Sequence, residues 1–393
     1  MVMLALVFIA ACAPTSVGPP SPLIPPSAAP TATTAAPSPP LAPIPAATTL
    51  LTPVGSTIGT QSGVTVPPGA RLIALAFDDL TRVWLVDPSK QAPPLNVAAW
   101  RAPRTGYANE TLLVTPDARS SVIGAWGPSG KAALYAYDVP SGRTTLLYED
   151  PVIDEPSALS PAMSADGRRY AFQTVDDVRA GNTSGGPTAR LTAHLEPHNV
   201  FGVWHPVAWS ADGGLLAISR SSEGDSEMAL VAGSGGPIRV LGKGTNAAWR
   251  PDRPLLAVAA GVGAFGGHGL MYTYDAASAV KTDLETPSTW TIGPLRWDTG
   301  SDKLAFVVGT NLGAPREVWT RSPTGPATKE IGPARNVLDV WWSPVGSSLY
   351  AIVPREDANA QFSIANIEVI FAVGPAGPPI ATLCRGDPRA ACP

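Results

Sequence analysis

Charge is what this chain has least of. Charged side chains make up 15% of its 393 residues, and none occurs before Arg71. The net charge is −4 and no basic cluster stands out, so a nucleic-acid role lacks its electrostatic footprint. Histidine is scarce, with four residues: His194, His198, His205 and His268. Cysteine is scarcer, with three: Cys12, Cys384 and Cys392. There is no Gly-x-Ser-x-Gly elbow of the hydrolase type and no Asp-x-Asp-x-Asp-Gly calcium loop. The run Ala125–Ala132 echoes a phosphate-binding loop, but Ala132 stands where the Mg²⁺-binding hydroxyl belongs. It reads as a hairpin turn between strands. His194, Glu196 and His198 alternate and would share one face of a strand, with His205 nearby. They read as an ordinary polar strand and loop rather than a metal site. No catalytic set and no cofactor are expected. No long stretch has helical periodicity.

Glycine and proline are abundant instead, at 38 and 44, which suits many short strands joined by turns. One motif recurs. Its fullest copy is Trp209-Ser210-Ala211-Asp212-Gly213-Gly214 followed by Leu215-Leu216-Ala217-Ile218. Met163-Ser164-Ala165-Asp166-Gly167 leads likewise into Tyr170-Ala171-Phe172, Trp249-Arg250-Pro251-Asp252 into Leu255–Val258, Trp297-Asp298-Thr299-Gly300 into Leu304–Val307, and Trp342-Ser343-Pro344 into Leu349–Ile352. Weaker copies surround Val114 and Pro67-Pro68-Gly69. Pro presets φ, Asp bonds its own backbone and Gly accepts positive φ, so each copy is a tight turn. The apolar run after it is a buried strand, and the central Ala permits close sheet packing. Further strands are expected at Val83–Asp87, Leu134–Asp138 and Met271–Asp275, and an outer strand at Arg143–Leu147.

The markers fall near 65, 114, 163, 209, 249, 297 and 342, with gaps of 40 to 49 residues. That is the size of one four-stranded propeller blade. A lone blade cannot cover both of its faces, so neighbours in a ring must. These units resemble the WD-like repeats of TolB-type β-propellers, whose usual form is Trp-Ser-Pro-Asp-Gly followed by a Leu-Ala-Phe strand. The resemblance covers roughly residues 60–383. The fold expected is all-β: one propeller over residues 56–393, with seven blades (six or eight are also compatible). Closure is expected to pair a strand from about residues 56–66 with the last blade, leaving no exposed edge.

Residues 1–11 are apolar and end at Cys12. Ile9-Ala10-Ala11-Cys12 resembles a bacterial lipobox, whose Cys is lipidated after a signal peptide is removed. The run is too short to span a bilayer. No Lys or Arg precedes it, a departure from the usual signal peptide. Residues 12–55 are uncharged and rich in Pro, Ala, Ser and Thr, a composition expected to stay disordered as a tether. At ~3.1 Å per residue it would reach on the order of 100 Å. Cys384 and Cys392 are free to pair, and an exported setting favours a disulfide there.

Trp209, Trp249, Trp297 and Trp342 occupy equivalent positions, which points to packing between blades. Candidate binding residues lie off that register or in irregular loops: Trp204, His205, Phe265, His268, Trp290, Trp341 and Arg355. Trp341 and its neighbour Trp342 would face opposite sides of a strand. The functional expectation is a monomeric, non-enzymatic binding or scaffold lipoprotein of the bacterial cell envelope. It would be held to the membrane by its lipid and recognise a protein, peptide or glycan; the resemblance implies an envelope partner. The alternative is a propeller enzyme acting on extracellular glycan or peptide.

Overall fold

The computed structural model describes residues 58–77, 80–88, 93–101, 111–126, 132–149, 161–174, 177–192, 204–222, 225–260, 269–309, 316–331, 336–343, 348–355, 366–372 and 379–384. These form seven antiparallel sheets and no helix, the blades of a seven-bladed β-propeller.

Blade one holds β1 (Ile58–Thr60), β2 (Arg71–Phe77), β3 (Leu80–Val86), β4 (Leu95–Arg101) and β5 (Thr111–Val114), in the order β1-β4-β3-β2-β5. Blade two holds β6 (Ser120–Trp126), β7 (Ala132–Asp138) and β8 (Arg143–Glu149). Blade three holds β9 (Ala162–Met163), β10 (Arg169–Gln173), β11 (Val178–Asn182) and β12 (Ala189–Arg190). Blade four holds β13 (His205–Trp209), β14 (Leu215–Ser222), β15 (Asp225–Ala232) and β16 (Arg239–Gly242). Blade five holds β17 (Asn246–Trp249), β18 (Leu255–Ala260), β19 (Leu270–Asp275) and β20 (Val280–Leu284). Blade six holds β21 (Thr291–Trp297), β22 (Leu304–Gly309), β23 (Glu317–Arg321) and β24 (Thr328–Lys329). Blade seven holds β25 (Asp339–Trp342), β26 (Leu349–Pro354), β27 (Asn366–Phe371) and β28 (Ala381–Cys384). In blades three to seven the marker residue ends the first strand, which lies innermost. The turn motif leads to the second.

That turn has the chemistry its residues imply. Ser210 N–H donates to the Leu215 carbonyl at 2.8 Å, and Leu215 N–H donates to Ser210 Oγ at 2.8 Å. Asp212 Oδ1 accepts from Ser210 Oγ at 2.6 Å and from Gly214 N–H at 2.9 Å. Gly213 closes the turn at φ 66°, where a side chain would be strained. Ser164, Asp166 and Gly167 repeat the arrangement one blade earlier. The segment Ala125–Ala132 does join two strands, since Trp126 and Ala132 pair across β6 and β7.

Each junction between blades holds its own buried apolar cluster, including the one between blades seven and one. Four junctions share a joint. The Trp209 indole N–H donates to the Ala162 carbonyl of the preceding blade at 3.1 Å. Trp249 does the same to Ala208 at 3.1 Å, Trp297 to Ala248 at 3.0 Å and Trp342 to Arg296 at 3.0 Å. Each acceptor stands immediately before the previous marker. The space for each indole comes from the small central residue of the preceding blade's second strand. Trp209 clusters with Ala171, Trp249 with Ala217, Trp297 with Ala257 and Trp342 with Ala305. At the last junction blade one offers no such Trp. Tyr350 occupies the position equivalent to Ala305 and fills the gap, together with Trp341. Trp341 and Trp342 thus face opposite junctions, as their adjacency on a strand requires.

Two expectations are corrected here. The ring does not close by pairing an N-terminal strand with the last blade. β1 pairs with β4 on the outer edge of blade one, through Ile58↔Trp100 to Thr60↔Ala98. Blade seven already draws four strands from its own continuous stretch, so it has no vacancy for a fifth. The second correction concerns Val114. Spacing assigns it to blade two, yet β5 pairs with β2 of blade one, Ile73↔Val114. Pro67 and Pro68 sit in the turn that leads into β2, where Ala70 N–H donates to the Pro67 carbonyl at 3.2 Å, and residues 61–66 before it form no strand on the inner edge. β5 takes that inner edge instead.

Replacing Trp249 by Phe keeps most of the apolar contact but removes the donor to Ala208. We expect a loss of about 1 kcal/mol by denaturant titration. Ala305→Tyr places two large rings where Trp342 needs space, and should cost about 1–3 kcal/mol. The hydrogen bonds from Ser210 and Gly214 hold the Asp212 carboxyl below its usual 3.8. Its contribution to stability is present above that value and fades as pH falls through the lowered one. Asp212→Ala should therefore narrow its deficit against the native chain in acid titrations below about pH 4.

Candidate functional site

Antiparallel order fixes what lies at each end of the ring. In blades three to seven the tight turns between first and second strands, and between third and fourth, fall at one face. The hairpins between second and third strands, and the crossings to the next blade, fall at the other. By chain order the connections between β18 and β19 and between β26 and β27 belong to the second face, whereas the Gly185-Gly186 turn between β11 and β12 belongs to the first.

At the centre of the ring lies a cavity of about 360 Å³. It is lined by innermost strands of several blades: Leu112, Val207, Asn246, Ala247, Pro294, Leu295, Arg296, Leu338 and Asp339. The exposed wall is about evenly polar and apolar. Arg296 and Asp339 form an ion pair across adjacent blades, Nη2 to Oδ2 at 2.8 Å. The Asp339 side chain is only 8% exposed, whereas that of Arg296 is 36% exposed. The second Asp339 oxygen accepts from Val340 N–H at 2.7 Å. Burial pushes the Asp339 carboxyl above its usual 3.8, opposed by Arg296 and the Val340 amide. Arg296 Nη1 donates to the Leu295 carbonyl at 2.9 Å. Asn246 Nδ2 donates to Thr245 Oγ1 at 3.2 Å and to the Ile292 carbonyl at 3.4 Å. The cavity therefore presents one half-exposed guanidinium fixed from behind by a buried carboxylate.

None of these polar residues was singled out from the sequence. A signal existed in the repeat register. Asn246, Pro294 and Asp339 each stand three residues before a marker Trp, and Arg296 stands one before. Aligning the copies upstream of the aromatic would have brought them together.

The residues that were singled out lie elsewhere. Trp204 is 5% exposed in the cluster between blades three and four, with the Arg220 guanidinium 4.9 Å above its ring. His205 opens β13, half-buried; burial lowers its pKa below 6.5, so the imidazole is neutral at neutral pH. Trp290 is half-buried between blades five and six, 4.6 Å from Trp319 and 6.2 Å from Phe306 between ring centroids. Trp341 is 3% exposed and packs 5.4 Å from Tyr350. Arg355 is half-buried just beyond β26. Trp204 and His205 at the start of blade four, Trp290 at blade six and Arg355 at blade seven share the loop-bearing face, but none lines the cavity. Phe265, His268, Cys12 and Cys392 lie outside the described residues, as do His194, Glu196 and His198. Cys384 ends β28, and its proposed disulfide likewise lies outside the described side chains. Among the described residues no three potential metal ligands gather.

For Asp339 the sign of the pH effect follows from its raised pKa. Its stability contribution is full below 3.8 and is lost as pH rises through the raised value. The stability of the native chain relative to Asp339→Asn should therefore fall on going from acid to neutral pH, read from denaturant midpoints across that range.

No protein-family model matches the chain, and no curated protein does. Solved structures do. A putative TolB from Agrobacterium tumefaciens is 18% identical, with a TM-score of 0.44 over 62% of this chain and 85% of that one. TolB from Acinetobacter baumannii is 14% identical, with a TM-score of 0.42 over 65% of this chain and 62% of its own length. The β-propeller domain of the Trilobed protease from Pyrococcus furiosus is 9% identical, with a TM-score of 0.46 over 79% of this chain and 83% of that one.

Proposed function

We propose that this protein is a non-enzymatic binding or scaffold lipoprotein of the bacterial cell envelope. The propeller is the recognition element and the loop-bearing face is its contact surface. One observation carries the reading: the strand order collects the blade crossings and the long hairpin segments at a single face of a ring stiffened at every junction. A rigid frame with variable loops at one end suits recognition of a protein, peptide or glycan. The lipobox-like Ile9–Cys12 and the uncharged Pro-rich stretch after it support display on a membrane-anchored tether.

Two measurements test this reading. In a host that lipidates exported proteins, the full chain should fractionate with membranes, and Cys12→Ser should move it to the soluble fraction. Immobilised full chain should also retain a specific partner from envelope extracts that a control carrying residues 12–55 alone does not. A Cys12→Ser protein that stays with membranes would remove the anchor. Identical capture by chain and control would remove the recognition role. Turnover of an extracellular glycan or peptide by the purified chain would favour an enzyme instead.

A further inference from the structure

We propose that the axial cavity is a small-molecule site for an amphipathic monocarboxylic acid. The proposal rests on the reading of the chain as a binding protein, but concerns the cavity rather than the loop face. Three observations carry it. First, about 360 Å³ is within the range of small-ligand pockets. Second, the wall is mixed: Val207 and Leu338, from different blades, lie beside the polar Asn246 and Arg296, which suits a ligand with one apolar and one polar end. Third, the one basic side chain in that wall is the more exposed member of its ion pair.

A guanidinium carries five N–H donors. The described partners of Arg296 take one for the Leu295 carbonyl and one for Asp339. The remaining donors are available on the side that is open to the cavity. Asp339 has both oxygens engaged, by Arg296 and by the Val340 amide, and is nearly covered. It orients the guanidinium and presents little of its own charge. A planar carboxylate matches the fork of donors that an arginine offers, and such charge-assisted bonds are stronger in surroundings poor in water. Asn246 has given its amide hydrogens to protein oxygens and keeps its carbonyl oxygen as an acceptor, which a hydroxyl next to the carboxylate would satisfy.

Isothermal titration of the full chain with hexanoate, octanoate, phenylacetate and 2-hydroxyoctanoate tests the site, with octanol, octylamine and octanamide as controls. The acids should bind and the alcohol and amine should not. Octanamide should bind about tenfold more weakly, corresponding to loss of the charge on one bonded pair. Arg296→Leu should abolish binding of the acids. Because that change strands Asp339, the double variant Arg296→Leu/Asp339→Asn is measured beside it, with circular dichroism to verify folding. Val207→Phe fills the cavity without touching the ion pair and should also abolish binding. Failure of every acid to bind, equal binding of octanol, or binding unchanged in folded Arg296→Leu/Asp339→Asn would overturn the proposal. Each of these results leaves partner capture by the loop face as a separate question, answered by the extracts.

Discussion

Four of the seven junctions depend on one joint, an indole of one blade laid against the small central residue of the blade before it. The indole N–H bonds a carbonyl of the preceding innermost strand, and its ring fills the space left by an Ala. Trp209 with Ala171 and Trp297 with Ala257 show both parts together. The joint solves two problems at once. It covers the apolar face that a lone sheet would expose, and it gives a buried carbonyl a donor. Where the incoming blade has no Trp at the marker position, other rings fill the junction, as Tyr350, Trp341 and Trp84 do at the closing one. The space is filled while the source of the bulk changes. Such exchange is what a close-packed interior demands.

Much of this was legible because it is local. The Ser-Ala-Asp-Gly turn and the apolar strand after it need only neighbouring residues, and the period needs only counting. The tryptophans of the register were legible as joints because equivalent positions in a ring meet equivalent surroundings. Pairing partners were less legible. Whether Thr111–Val114 joins blade one or blade two depends on which edge is vacant, and that depends on a segment more than forty residues earlier, 61–66, which forms no strand there. The same non-local competition decided where Ile58–Thr60 went.

The cavity was hidden for a different reason. Its polar members Asn246 and Asp339 share one register position with Pro294, so the trace they leave is one of position and not of residue type. The off-register aromatics drew attention instead, and Trp204 and Trp341 turn out to fill junctions. An indole outside the repeat pattern is first of all a large apolar body, and a ring with imperfect copies needs such bodies to repair its weaker contacts.

The lending of β5 to blade one has a consequence for how the chain could be rearranged. Blades three to seven are each one uninterrupted segment, so new termini cut between any two of them would leave every sheet whole. A cut between β4 and β5 would instead sever blade one from its own inner edge. The boundary between the first two modules therefore falls after β5, between Val114 and Ser120, and shuffling or duplication of modules in such a gene would keep all seven sheets whole only if it respected that offset.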